Sequence, residues 1–145
     1  MVSPISLFAP AKLNLFLAIT GRRKDGFHDL VSVVAKLDFG DTLHTEPADA
    51  FSLTCSDPAV PGDESNLVLK AARAFAVATQ WEGGARFYLE KRIPMGAGLG
   101  GGSSDAVAAL RALTSVSTRS LEPESLAQVA AQLGSDCRCF CRMVR

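Results

Sequence analysis

The sequence lacks an excess of charge of either sign and has no long hydrophobic run. Fifteen basic residues balance fifteen acidic ones in a chain of 145. Without a net positive field, nucleic acid and anionic membranes are poor candidate partners, and small ligands are favoured. No stretch approaches the ~18 apolar residues that span a bilayer, and the N-terminal MVSPISLFAP has no basic region followed by an apolar one. We therefore expect a cytoplasmic protein without a membrane partner.

Cysteine is also scarce, with four residues in the chain. Cys55 stands alone, whereas Cys137, Cys139 and Cys141 fall within the last nine residues. This spacing differs from the C-x-x-C pairs of zinc sites, so a metal centre built from these cysteines is disfavoured and we predict none. Internal repeats, low-complexity tracts and long linkers are absent as well. The 48% of hydrophobic residues suffices for the core of one globular domain.

Hydrophobic periodicity predicts strands in the first part of the chain and helices later. Alternation over 12–20 predicts a strand with one face on a core. A second strand is predicted over 31–39, and GDT leads into short strands near 42–46 and 50–55. An antiparallel sheet is the simplest interpretation. Helices are predicted over 64–79, from about Ser103, and from 120 to 133 with Ser120 as N-cap and Gly134 as stop. Residues 85–94 are predicted to be a strand.

A glycine-rich segment lies between the last predicted strand and the second helix. Residues 93–110 read IPMGAGLGGGSSDAVAAL, with five glycines between Gly96 and Gly102. A strand, a glycine loop and a helix start direct backbone N–H groups and the positive end of the helix dipole at one point, which suits phosphate. The predicted nucleotide-binding residues are Pro94, Met95, Gly96, Ala97, Gly98, Leu99, Gly100, Gly101, Gly102, Ser103 and Ser104.

Other interpretations of the glycine run stay open from the residues alone. Gly96, Gly98 and Gly101 satisfy G-x-G-x-x-G, but the acidic residue expected at a strand end about 20 positions later is missing. The run is not a Walker A loop, because no lysine stands between the last glycine, Gly102, and Ser103. A tight turn that binds no ligand is the remaining alternative.

Three separated stretches together resemble one enzyme family. They are APAKLNLFLAITGRRKDGFHDL at 9–30, IPMGAGLGGGSSDAVAAL at 93–110 and LGSDC at 133–137. They are similar to the 4-diphosphocytidyl-2-C-methyl-D-erythritol kinases, a branch of the GHMP kinase superfamily that also includes galactokinase, homoserine kinase and mevalonate kinase. The resemblance implies an α+β N-terminal domain like the second domain of ribosomal protein S5, followed in the family by a C-terminal ferredoxin-like domain.

The resemblance also implies a reaction and its residues. ATP, with Mg²⁺, would phosphorylate the 2-hydroxyl of 4-diphosphocytidyl-2-C-methylerythritol, a step toward isoprenoid precursors. Asp136 would act as base with Lys12 beside it, Asn14 would bind the methylerythritol end, Phe27 would stack on cytosine and His28 would hydrogen-bond that base. Taken alone, a lysine at a strand start is usually a solvated charge, and an Asp after Gly-Ser is usually a turn residue.

The end of the sequence departs from the family pattern. Family chains are about twice as long, and their GSD segment continues into a buried strand, whereas this chain ends in CRCFCRMVR, which would make a poor core strand. Deletion of one cytosine nucleotide from a plausible family coding sequence would shift the reading frame and encode this ending. We therefore expect a GHMP kinase N-terminal domain over 1–137, an aberrant tail over 138–145 from a frameshift or truncation, and no ferredoxin-like domain.

With that ending, we expect little or no kinase activity from this polypeptide. The alternatives are another GHMP kinase acting on homoserine or mevalonate, a dinucleotide-binding oxidoreductase, and a non-catalytic nucleotide-binding fragment. An oxidoreductase would respond to NAD(P) without binding ATP. A non-catalytic fragment would bind ATP without turnover.

Overall fold

The computed structural model describes residues 3–143, so the first two residues of the predicted domain and the last two of the predicted tail lie outside it. The elements are β1 (Ile5–Arg22), β2 (His28–Ala48), β3 (Ser52–Cys55), α1 (Leu67–Thr79), β4 (Gly84–Glu90), α2 (Gly101–Val116), α3 (Pro123–Leu133) and α4 (Ser135–Met143). The α+β class is confirmed. Among the described residues, no helix is long and apolar enough to cross a membrane.

The strands form one four-stranded sheet in the order β1-β2-β4-β3. β1 and β2 form a long antiparallel hairpin, and β2 pairs with β4 in the antiparallel sense. β3 pairs with β4 in parallel, so the expectation of an antiparallel sheet is wrong at this edge. The reason is the connection: α1 lies between β3 and β4, and such a crossover returns the chain in the same direction.

The prediction of separate strands over 31–39 and near 42–46 is also wrong, because β2 runs without interruption through residues 40–42. Gly40 pairs with Pro10, and a Cβ at Gly40 would lie 2.3 Å from the carbonyl oxygen of Ala9. This glycine therefore permits a close approach of two strands and does not mark a turn.

Helix starts follow local backbone rules. Asn66 caps α1 by accepting a hydrogen bond from the N–H of Val68 at 2.9 Å. The prediction of Ser120 as the N-cap of the third helix is wrong, since α3 begins at Pro123 with Glu122 as its N-cap. A residue before proline is excluded from helical geometry, and Glu122 is extended (ψ 151), so the helix cannot begin earlier. Gly134 ends α3, as predicted.

The core lies between one face of the sheet and the helices. Leu43, Phe87 and Leu89 of the sheet pack with Phe75 of α1 and Leu110 of α2. The alternation predicted for the strand before the glycine run is confirmed, since the residues at 85, 87 and 89 are buried and those between them are exposed.

The outer part of the β1–β2 hairpin does not join this core. We call residues 13–33 the outer arm; its exposed large hydrophobic residues are Leu13, Leu15, Phe16, Leu17, Ile19, Phe27, Val31 and Val33. The prediction that 12–20 places one face on a core is therefore wrong beyond Lys12. Strand periodicity shows which residues share a face, but the helices of the described chain do not extend over this arm.

The ending that reads as a poor strand forms a helix instead. α4 packs against α2 and α3, and it buries Cys137 and Phe140 while Arg138 is exposed. The Arg111 guanidinium donates hydrogen bonds to the carbonyls of Phe140 and Cys141, at 3.4 and 3.3 Å. The boundary predicted after Cys137 falls inside this helix.

Candidate functional site

The glycine-rich segment borders a cavity of ≈ 380 Å³ at the point where β4 leads into α2. All the predicted nucleotide-binding residues from Pro94 to Ser103 line it, together with Asn66, Leu67, Lys91 and Asp105. Ser104 lies elsewhere: it is buried and borders a separate cavity of ≈ 200 Å³ on the β1 side of α2. The structure thus brings together ten of the eleven predicted loop residues.

Three glycines give this loop its shape. Gly96, Gly98 and Gly100 have φ of 71, 74 and 70°, a region that residues with a Cβ rarely adopt. A Cβ at Gly96 or Gly98 would meet no atom within 4 Å, so these two glycines face open space. That open space is where a bound group could approach the backbone.

The N-terminus of α2 is built to receive an anion. Gly100 is the N-cap and no side chain caps the helix. The first N–H groups of a helix have no partner within the helix, and here they lie beside the cavity at the positive end of the dipole. A phosphate group would satisfy them.

Lys12 and Asp136 are 124 positions apart in the chain but adjacent in the fold. Lys12 Nζ lies 3.3 Å from Asp136 Oδ1, with the lysine side chain 7% and the aspartate 46% exposed. The backbone N–H of Lys12 donates to the Leu99 carbonyl at 2.9 Å. A Cβ at Gly100 would lie 3.0 Å from Lys12 Cε. The ion pair therefore borders the glycine loop.

The predicted substrate-binding residues fall in two places. Asn14 is close to the ion pair, since Lys12 Nζ donates to Asn14 Oδ1 at 3.4 Å. Phe27 and His28 lie at the tip of the hairpin, where Phe27 N–H donates to Asp25 Oδ1 at 3.1 Å and Phe27 is 70% exposed. Neither Phe27 nor His28 is among the residues that line the loop cavity.

Sequence reasoning missed an ionic cluster formed by Asp41, Lys91 and Asp105. Lys91 Nζ lies 2.5 Å from Asp41 Oδ2 and 3.1 Å from Asp105 Oδ2, and all three side chains are buried. Two signals were available: a lysine directly after a buried strand, and a lone charge in the apolar segment SSDAVAAL. Both Lys91 and Asp105 border the loop cavity.

The cluster perturbs proton affinities. Burial raises the pKa of Asp105 to about 8, an effect that the nearby Lys91 ammonium only partly offsets. Burial opposes the charge of Lys91, but the two carboxylates outweigh it and raise the lysine pKa above its usual value. Asp41 accepts two backbone N–H bonds besides the lysine, so we assign the proton of the cluster to Asp105, the carboxyl whose pKa is raised.

The three clustered cysteines lie on α4, and burial raises the pKa of the Cys137 and Cys141 thiols. Among residues 3–143, no group of three or more His, Cys, Asp or Glu is arranged to hold a metal ion.

Comparison with known proteins identifies the family of this chain. The family model described as GHMP kinases N terminal domain matches residues 66–140. A 4-diphosphocytidyl-2-C-methyl-D-erythritol kinase of Alcanivorax borkumensis is 50% identical over 140 residues, which are 94% of this chain and 46% of that protein. The corresponding enzyme of Salinibacter ruber is 47% identical over 133 residues, covering 92% of this chain and 47% of the relative. The chain spans about half the length of these curated relatives.

Solved structures show the same relationship. A crystal structure of 4-(cytidine 5'-diphospho)-2C-methyl-D-erythritol kinase superposes with a TM-score of 0.79 at 40% identity, covering 94% of this chain and 48% of that one. A homoserine kinase from Cytophaga hutchinsonii shares the fold at 23% identity, with a TM-score of 0.68. The chain therefore belongs to the GHMP kinases and corresponds to the N-terminal portion of the 4-diphosphocytidyl-2-C-methyl-D-erythritol kinases.

Proposed function

We propose that this chain is the ATP-binding portion of an ATP-dependent small-molecule kinase, whose substrate is 4-diphosphocytidyl-2-C-methyl-D-erythritol. The observation that carries the proposal is the meeting of an uncapped helix N-terminus, a glycine loop and the Lys12–Asp136 ion pair. GHMP kinases use ATP, and the curated relatives compared above carry the name of this substrate.

Phosphoryl transfer needs a holder for the phosphates, positive charge and a group that takes the proton of the attacking hydroxyl. The loop N–H groups and the N-terminus of α2 serve as the holder. Asp136 accepts the hydroxyl proton, the oxygen forms a bond to the γ-phosphorus, and the bond from that phosphorus to the β-phosphate oxygen breaks, releasing ADP. The Lys12 ammonium, 3.3 Å from Asp136, stabilises the developing alkoxide.

Magnesium fits this arrangement as part of the nucleotide complex. The loop presents N–H donors, which bind phosphate oxygens, so the ion would be held mainly by the phosphates themselves. When bound, Mg²⁺ supplies neutralisation of phosphate charge.

Substrate recognition is the finer part of the proposal. Asn14 bonds the methylerythritol end near the reacting pair, Phe27 stacks on cytosine and His28 hydrogen-bonds it. Stacking of a base on an aromatic side chain contributes about 1–3 kcal/mol. The exposure of Phe27 leaves its ring available for such a contact.

For the 145-residue chain itself, we propose nucleotide binding with little or no turnover. The chain spans about half the length of its curated relatives. Its outer arm exposes apolar side chains near the position that we assign to the substrate. An incompletely enclosed substrate would leave water in the site and weaken catalysis.

The experiment measures ATP affinity by calorimetry for the chain and for two matched variants. Gly98→Ala and Gly26→Ala each place a Cβ on a left-handed glycine (φ 74 and 88°) with no atom within 4 Å, so their local strain is similar. We expect Gly98→Ala to weaken ATP binding by about tenfold or more, and Gly26→Ala to leave it unchanged, because only the loop backbone approaches phosphate.

Equal affinities of the two variants, or no ATP binding by the parent chain, would contradict the proposed function. Substrate choice is tested separately with cytidine diphosphate. Binding that is lost in Phe27→Ala and in His28→Ala supports the cytidylyl substrate, whereas binding that is absent or unaffected favours a homoserine- or mevalonate-type kinase.

A further inference from the structure

The Asp41–Lys91–Asp105 cluster connects three elements beneath the glycine loop. Asp41 lies in β2, Lys91 directly follows β4, and Asp105 lies in the first half of α2. The Lys91 ammonium bridges the carboxyl groups of Asp41 and Asp105, at 2.5 and 3.1 Å. Buried ionic groups are costly to desolvate, so a cluster of this kind beside the glycine loop is weak evidence for stability and suggests another role.

Each end of the loop is tied to this cluster. Asp41 Oδ1 accepts hydrogen bonds from the N–H groups of Arg92 and Ile93, at 2.5 and 2.8 Å, immediately before the loop begins at Pro94. At the other end, a Cβ on Gly101 would lie 2.9 Å from Lys91 Nζ, so the ammonium is packed directly against the first residue of α2. Asp105, one turn further along α2, accepts from the same ammonium.

We propose that Asp41, Lys91 and Asp105 form the anchor that sets the spacing between the two ends of the glycine loop, with Asp105 as the positioning residue that fixes α2 to the end of β4. The anchor holds the loop N–H groups aimed at the phosphates. This inference rests on the proposed function, since it explains how the ATP site keeps its geometry before nucleotide arrives.

The charge state of Asp105 fits a positioning role. Its Oδ1 is buried without a hydrogen-bond partner, and the carboxyl borders the loop cavity. A second buried anion beside the phosphates would repel them, whereas a carboxyl that holds its proton leaves one ammonium and one carboxylate in the cluster. The raised pKa of Asp105 agrees with this assignment.

The test compares Asp105→Leu with Asp105→Asn in the 145-residue chain. Leucine keeps the volume but cannot accept from Lys91, whereas asparagine keeps an oxygen at the same place and is neutral. The first readout needs no nucleotide: hydrogen exchange at the backbone amides of Lys12, Ile93 and Ser104, which donate to Leu99, Asp41 and Gly100. The reference amides lie in the middle of α1. The control variant is Asp57→Asn, at a half-buried position where asparagine can still accept the hydrogen bond from the Ala59 N–H.

We expect Asp105→Leu to speed exchange at the three loop-anchoring amides by about tenfold relative to the α1 amides, and Asp105→Asn to restore protection. The second readout is ATP affinity, which should fall by about tenfold in the leucine variant and recover in the asparagine variant. Exchange that rises equally in the loop and in α1 would mean a general loss of stability and would overturn the anchor. A parent chain that binds no ATP would overturn the proposed function, while the exchange result would still decide whether the anchor exists.

Discussion

Replacing Phe140 by alanine tests whether the end of the chain is part of the folded domain. Phe140 lies on α4, is 1% exposed, and belongs to the core cluster. Truncation of a buried phenylalanine to alanine usually costs about 3–5 kcal/mol, as transfer free energy plus a cavity. For a chain of this length, about 2–4 °C of melting temperature corresponds to each kcal/mol, so we expect a loss of roughly 6–20 °C.

The assay can use the single tryptophan. Trp81 packs edge-on against Phe75 and Phe51, with ring centroids 6.0 Å apart in both pairs, so its fluorescence reports on the core. Urea unfolding followed at this residue gives the free energy of unfolding for the parent chain and for Phe140→Ala. Arg138→Ala, on the exposed side of the same helix, is the control and should change stability by less than about 0.5 kcal/mol.

A loss below about 1 kcal/mol for Phe140→Ala would refute the reasoning. It would mean that residues 138–143 do not pack as α4, and that the aberrant tail expected from the sequence is the better description. A loss that also weakens ATP binding would be consistent with the packing of Phe140 beside the loop, where a Cβ on Gly100 would lie 3.0 Å from its ring.

Three other predictions follow from single features. Asp105 holds its proton in the folded chain, where its pKa is about 8, and releases it near pH 3.8 in the unfolded chain. The stability of the parent relative to Asp105→Asn should therefore fall by about 1.4 kcal/mol per pH unit between roughly pH 5 and 7.5. Lys91 and Asp41 are the groups that face Asp105, and parallel pH curves for the two proteins in urea titrations would contradict the prediction. Asn66→Ala should cost about 1 kcal/mol in thermal unfolding through loss of the α1 cap, and an unchanged melting temperature would count against the cap. Replacing Leu15 and Leu17 of the outer arm by lysine should lower the binding of a hydrophobic dye while leaving the unfolding free energy within about 1 kcal/mol, and an unfolded double variant would show that the arm is buried.

The alternation and helical stripes of the sequence predicted most elements because they reflect local rules. The helix of 67–79, the strand ending at Glu90 and the stop at Gly134 are examples. The errors have non-local causes. Gly40 was placed between two predicted strands, but it pairs with Pro10, 30 positions earlier in the chain, and only the paired structure shows that the glycine permits a close approach.

The site was predicted unevenly for the same reason. The glycine loop is contiguous, so its composition and the helix that follows it predicted an anion site. Lys12 and Asp136 entered through family resemblance, and their contact at 3.3 Å could not be inferred from spacing. The Asp41–Lys91–Asp105 cluster went unnoticed because its members are 50 and 14 positions apart and none belongs to the glycine run.

By itself, the sequence determined the α+β class, the period of most elements and the glycine loop before α2, because these depend on neighbours within a few residues. Tertiary structure alone decided which charges meet: Lys12 with Asp136, and Lys91 with two carboxylates from different elements. It also decided that the ending packs as a helix while the outer arm stays exposed. Burial and charge pairing depend on groups that the chain brings together only when it folds, and they set the proton affinities on which the proposed chemistry depends.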